Sequence, residues 1–111
     1  MFISLINSQF GRVYRGGNSK ADHQIVMYVL ENGLTYNRIG ITVSKKIGNS
    51  VVRHRVKRII KEAYRLREEE FKTGLDIVIV ARKAAENKKS TDMEVSLLRL
   101  GKRLNVLQEK A

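Results

Sequence analysis

Residues 45–67 read KKIGNSVVRHRVKRIIKEAYRLR. Lys45, Lys46, Arg53, Arg55, Lys57, Arg58, Lys61, Arg65 and Arg67 are cationic, and within the segment only Glu62 opposes them. From Val51 onward the spacing is helical. At about 100° per residue, Val52, Val56, Ile59, Ala63 and Leu66 share one side of a helix. Arg53, His54, Lys57, Arg58, Lys61 and Arg65 share the other, with Arg55 near the border. One side suits a core and the other a polyanion. Charged helix faces are often merely solvated, but those usually mix signs in i,i+4 pairs, and this one is nearly all positive.

Such a helix needs an apolar layer to pack on, and the flanking sequence supplies one. Residues 24–30, QIVMYVL, form an apolar run rich in strand formers, followed by an Asn32-Gly33 turn signal. Residues 38–44, RIGITVS, alternate: Ile39, Ile41 and Val43 point one way, and Arg38, Gly40, Thr42 and Ser44 form a flat, polar face on the other. Residues 75–81, LDIVIVA, are apolar almost throughout, as for an inner strand covered on both faces. Asn7 or Ser8 can cap a short helix over residues 9–15 that Gly16-Gly17 stops. The long helix extends to about Glu70 and breaks before Gly74. Thr91 to Glu94 has the form of a capping box opening a last helix, with Met93, Leu97, Leu100, Leu104 and Leu107 as its stripe. The order α-β-β-α-β-α predicts an α+β fold: one small domain over residues 1–111, a mixed sheet packed by helices, with the cationic helix most simply read as binding nucleic acid.

Composition narrows the partner. The chain has 111 residues, 22 Lys+Arg against 11 Asp+Glu, and a formal net charge of +11. With 42% hydrophobic residues it can bury a core, so it is not a disordered basic tail. A folded domain this basic points to a polyanion. The absence of cysteine excludes thiol sites and fits a reducing, cytoplasmic setting. The opening MFISLI is short and lacks a cationic flank, so it is not read as a signal peptide, and there is no transmembrane run.

The usual catalytic parts are missing. His23 and His54 are the only histidines, and neither has a partner at metal or triad spacing. The Glu68-Glu69-Glu70 run reads as a solvated helix end. More informative is the loop from Ser44 to Ser50. It leads Lys45, Lys46, Gly48 and Asn49 into a helix N-terminus, whose free N–H groups suit phosphate. Gly48 lets a backbone come close, and Asn49 can cap the helix or bond a ribose or base edge. Phe10 and Tyr14 share a helix face, and Tyr28 lies in the first strong strand. Single-stranded bases stack on such rings, although each ring can equally belong to the core.

The stretch VSKKIGNSVVRHRVKRIIKEAYR resembles the signature of the bacterial ribonuclease P protein component, of the form KK-x-GN-A-V-x-RN-R-x-KR-x-x-RE. Lys45, Lys46, Gly48, Asn49, Val51, Arg53, Arg55, Lys57, Arg58 and Glu62 stand at its positions. An upstream F-x-x-VY-x-x-G is matched by Phe10, Val13, Tyr14 and Gly17. A VVY-like strand is matched by Val26 and Tyr28, and the strand ending in AR by residues 76–82. His54 stands where the family has Asn, Lys61 where it usually has Arg, and Ser50 where it has Ala. The segment before Phe10 is short and uncharged, where the family is typically basic.

The resemblance implies the ribonuclease P protein-like fold, related to the second domain of ribosomal protein S5, with a left-handed crossover between parallel strands. It implies the protein subunit of an endoribonuclease that removes the 5′ leader of precursor tRNA. In that enzyme the RNA subunit carries the active site and its Mg2+, and the protein binds no cofactor by itself. The implied partners are ribonuclease P RNA and precursor tRNA, with no membrane and no obligate protein partner. Lys45, Lys46, Asn49, Arg53, His54, Arg55, Lys57, Arg58, Lys61 and Arg65 would meet RNA, and Phe10, Tyr14 and Tyr28 would line the leader cleft. Charge and size alone leave other readings open: a ribosomal or other structural RNA-binding protein, a major-groove DNA binder, or an amphipathic membrane-surface helix.

Overall fold

The computed structural model describes residues 2–109. Its elements are α1 (Asn7–Gly16), β1 (Asn18–Ala21), β2 (Ile25–Glu31), β3 (Arg38–Thr42), α2 (Ser50–Arg67), β4 (Leu75–Ala81) and α3 (Ser90–Arg103). Single 3-10 turns lie over Lys45–Ile47, Glu68–Glu70 and Lys83–Asn87. The sheet order is β1-β2-β4-β3, with β3 parallel to β4 and the other pairs antiparallel. The sheet is therefore mixed, and β3–α2–β4 is a parallel crossover unit.

The alternation of the strands sorts the sheet into two faces. Ile25, Met27, Val29, Ile39, Ile41, Ile77 and Ile79 point into one core with Val56, Ile59, Ile60, Ala63 and Tyr64 of α2 and Met93, Leu97 and Leu100 of α3. On the other face Val78 joins Val13 of α1 and Leu5, with Phe10, Tyr28, Leu30 and Val80 packed around them. The apolar run of β4 is thus covered on both sides, as its composition predicts.

Several expectations need correction. A fourth strand, β1, precedes the others; its NSKA sequence is exposed throughout and pairs only through backbone. The Asn32-Gly33 turn closes no hairpin, because β4 lies between β2 and β3. The long helix ends at Arg67, and the three glutamates form the 3-10 turn. The first helix takes in Asn7 and Ser8, and its free Ile6 N–H is satisfied by Gln9 Oε1 at 2.8 Å. The last helix is capped two residues earlier than Thr91–Glu94 suggests: Lys89 is the N-cap, and Asp92 accepts from the Lys89 N–H at 2.8 Å. Glu94 instead takes the Arg67 Nε–H at 2.7 Å, tying α3 to the end of α2.

Candidate nucleic-acid interface

The helical phase of α2 differs from the wheel in an instructive way. Its buried residues are Val56, Ile59, Ile60, Ala63 and Tyr64, while Leu66 is 62% exposed. The core side is rotated toward Ile60 and Tyr64. Arg53 therefore lies at the core border and not on the far side; it is half-buried, and its Nε is buried without a hydrogen-bond partner. Arg55, on the opposite border, donates Nη1–H to the Glu86 carbonyl at 2.9 Å and Nη2–H to the Lys88 carbonyl at 2.6 Å. It clamps the β4–α3 connection onto α2.

The remaining cations face solvent. His54, Lys57, Arg58, Lys61 and Arg65 are exposed, as are Lys45 and Lys46 in the 3-10 turn that precedes the helix. Among the described residues, His54, Lys57, Arg58, Arg65, Lys45 and Lys46 have no ion-pair or hydrogen-bond partner. Lys61 Nζ stands 4.8 Å above the centre of the Phe2 ring. A face held only for solubility would show intrahelical pairing; here the charges stand uncompensated.

The N-terminus of α2 is built locally. Asn49 Oδ1 accepts from the Val52 N–H at 3.0 Å, so the side chain caps the helix. A Cβ at Gly48 would come within 2.9 Å of Val52 Cβ and Cγ1, so glycine there serves close packing on the helix's own first turn. Ile47 is buried, and its carbonyl accepts from Lys83 Nζ at 3.1 Å. The turn carrying Lys45 and Lys46 is thereby fixed to the β4–α3 connection.

The second face of the sheet carries the aromatics. Phe10 sits over Gly40: a Cβ at that position would overlap its ring. The flat polar face expected on β3 is therefore covered at its middle by α1. Tyr14 is 40% exposed and meets Tyr28 edge-on, with ring centres 4.9 Å apart at 88°. Its hydroxyl lies 3.3 Å from Thr42 Oγ1. Phe10 and Tyr14 rings are 6.4 Å apart. Beyond α1 the sheet is open along the row Ala21, Val26, Val80 and Thr42, which the register places side by side. Val26, Val80 and Thr42 are half-buried on this strip, and the Tyr14 and Tyr28 rings stand beside it. The strip lies at the C-terminal end of parallel strands β3 and β4, where the chain enters Lys45, Lys46 and α2. Arg82 and Lys83 follow β4 at the same end, and both are exposed.

One buried charge holds the wall. Asp76, in β4, is fully buried. Arg38 donates to both its oxygens at 2.7 Å, Asn32 to Oδ1 at 2.9 Å and Arg12 to Oδ2 at 3.1 Å. Burial alone would raise its pKa, but the Arg38, Asn32 and Arg12 hydrogen bonds outweigh it and hold the carboxyl below its ordinary value. Sequence reading passes over Asp76 because it stands within an apolar run and its partners are distant in the chain.

Among the described residues no group of three or more His, Asp or Glu side chains could hold a metal ion, and no helix is long and apolar enough to cross a membrane.

Comparison with known proteins agrees with this geometry. The profile of the Ribonuclease P family matches residues 5–105. The chain is 53% identical over 103 residues to the ribonuclease P protein component of Lachnoclostridium phytofermentans, covering 92% of this chain and 89% of that relative. It is 44% identical over 101 residues to that of Clostridioides difficile, covering 90% and 89%. Among solved structures, the Staphylococcus aureus RNase P protein superposes with a TM-score of 0.84 at 32% identity, covering 97% of this chain and 99% of that one. The Thermotoga maritima RNase P protein gives 0.81 at 28%, covering 90% and 96%. Profile, relatives and topology coincide over almost the whole length, and the chain belongs to the family of bacterial ribonuclease P protein components.

Proposed function

We propose that this chain binds the RNA subunit of ribonuclease P through the exposed cations of α2 and its entry turn, and takes the single-stranded 5′ leader of precursor tRNA into the cleft beside α1. The observation that carries this reading is the meeting of the two surfaces. The strip of sheet beside Tyr14 and Tyr28 lies at the end of β3 and β4, where Lys45, Lys46 and the N-terminus of α2 begin. A strand emerging from RNA bound at α2 would pass directly over Thr42, Tyr14 and Tyr28. Its bases would stack on the rings, and its phosphates would lie among the cations.

The chemistry is assigned to the RNA partner, whose Mg2+ would supply activation of water and stabilisation of the leaving oxygen. The protein contributes affinity and position: cations that neutralise phosphates, and a wall that holds the leader in line. Residues proposed to meet RNA are Lys45, Lys46, His54, Lys57, Arg58, Lys61 and Arg65. Asn49, Arg53 and Arg55 serve the helix N-terminus and its packing, with only their outer edges toward the partner. The expected place of action is the cytoplasm, where tRNA precursors are made.

Reconstitution tests the division of labour. Nuclease-free protein alone should leave precursor tRNA intact. Adding a bacterial ribonuclease P RNA at low Mg2+ should yield accurate 5′ ends, faster than with the RNA alone. Cleavage by the protein without RNA would overturn the assignment.

A further inference from the structure

We propose that Arg12 is a positioning residue for the leader cleft: its contact with Asp76 fixes the roll of α1 and so the placement of Tyr14. This rests on the cleft being the leader site.

The geometry of α1 carries the argument. Val13 is fully buried against the sheet and forms the line along which the helix rests. Arg12 and Tyr14 are its immediate neighbours, so they project about 100° to either side of it. On one flank Arg12 Nη2 reaches Asp76 Oδ2 at 3.1 Å. On the other Tyr14 reaches Tyr28 at 4.9 Å between ring centres and Thr42 Oγ1 at 3.3 Å. A short amphipathic helix seated on one apolar line can roll about it. The two flanking contacts oppose that roll, and releasing one displaces the other.

The energetics favour position over stability. Arg38 already takes both Asp76 oxygens at 2.7 Å, and Asn32 takes one at 2.9 Å. The buried carboxylate remains satisfied when Arg12 is gone. Arg12 itself is half-exposed, and an ion pair with one exposed partner adds little to folding stability. Its contact still spans 64 residues and ties α1 to the central strand.

The test uses the ribonuclease P holoenzyme reconstituted with Arg12→Ala, Arg12→Lys, Tyr14→Ala and the Arg12→Ala/Tyr14→Ala pair. Dissociation constants for precursor and mature tRNA are measured beside thermal melts. Arg12→Ala should weaken precursor binding by about three- to tenfold, a fraction of a full stacking loss. Mature tRNA binding, the maximal cleavage rate and the melting temperature should hold. Arg12→Lys should recover part of the loss. The double variant should be no weaker than Tyr14→Ala, because Arg12 acts through that ring. Fully multiplicative losses would make Arg12 a direct RNA contact, and a lowered melting temperature would make it merely structural; either overturns the proposal. A second readout needs no RNA: in protein labelled with 3-fluorotyrosine, Arg12→Ala should move the Tyr14 19F resonance and leave that of Tyr64 in place. An unmoved Tyr14 resonance overturns the positioning role by itself. A Tyr14→Ala holoenzyme with undiminished precursor affinity would instead sink the leader reading, and the role built on it.

Discussion

Phe10 occupies the space that a side chain at Gly40 would fill: a Cβ there would stand 2.6 Å from Phe10 Cε1 and closer still to Cζ. Residue 40 is glycine because the first helix lies directly on the edge strand. Gly40→Ala should therefore force the ring outward. Overpacking of this kind costs about 1–3 kcal/mol, to be read from urea unfolding. The same variant should lose affinity for precursor tRNA beyond what its stability explains, because Phe10 also walls the cleft.

Arg55 and Arg58 are both cations on α2, but they should behave differently. Arg55 spends donors on the Glu86 and Lys88 carbonyls, whereas Arg58 is exposed. Arg55→Ala should destabilise the domain by about 1.5–3 kcal/mol, the usual worth of hydrogen bonds to a charged group. Arg58→Ala should change stability by less than about 0.5 kcal/mol. It should reduce the log–log salt slope of RNA binding by about one. Denaturant melts and filter binding between low and moderate salt separate the two.

The phase of α2 is tested by a pair of apolar residues. Val56 is fully buried and Leu66 is 62% exposed. Val56→Asp should abolish the cooperative thermal transition, since it buries an unpaired charge. Leu66→Asp should leave circular dichroism and melting almost unchanged. Equal damage by both would restore the wheel on which Leu66 faces the core.

Acid should unfold the protein partly through Asp76. Its pKa is lowered in the folded state, so the stabilisation is complete above the ordinary carboxylate value of 3.8 and is lost as pH falls from there through the folded value. Asp22, held down despite burial by Ser96, the Ile25 and Gln24 backbone N–H groups and Arg99, adds a contribution of the same sign. Urea unfolding between pH 5 and pH 2.5 should show stability falling with acid in the parent. In Asp76→Asn the fall should be shallower and the stability at neutral pH lower, because the Arg38 guanidinium loses its carboxylate. A parallel pH profile in the two proteins would remove Asp76 from the acid transition.

Local patterns carried the elements and little of their arrangement. The run LDIVIVA marks β4 to the residue, because a strand covered on both faces has no polar positions to blur its ends. The polar β1 strand, NSKA, pairs without burying side chains and so leaves no periodicity to read. Insertion of β4 between β2 and β3 is a long-range pairing that no local turn signal reports. In the site, the exposed lysines and arginines of α2 were legible as a face. Arg55's acceptors are backbone carbonyls, which carry no sequence signal. The Asp76 network joins residues 38, 44 and 64 positions apart, and only the folded sheet brings them together.

That the leader lies on the sheet beside α1 is tested most directly by crosslinking. Precursor tRNA carrying 4-thiouridine in its leader would be bound to the reconstituted holoenzyme, irradiated, and the adducted peptides mapped by mass spectrometry. Adducts should concentrate on Phe10, Tyr14 and Tyr28 and vanish when the thiouridines are moved to the mature tRNA body. Leader adducts confined to the outer face of α2 around Arg58 and Arg65, with none on the three aromatics, would contradict the placement of the leader in the cleft.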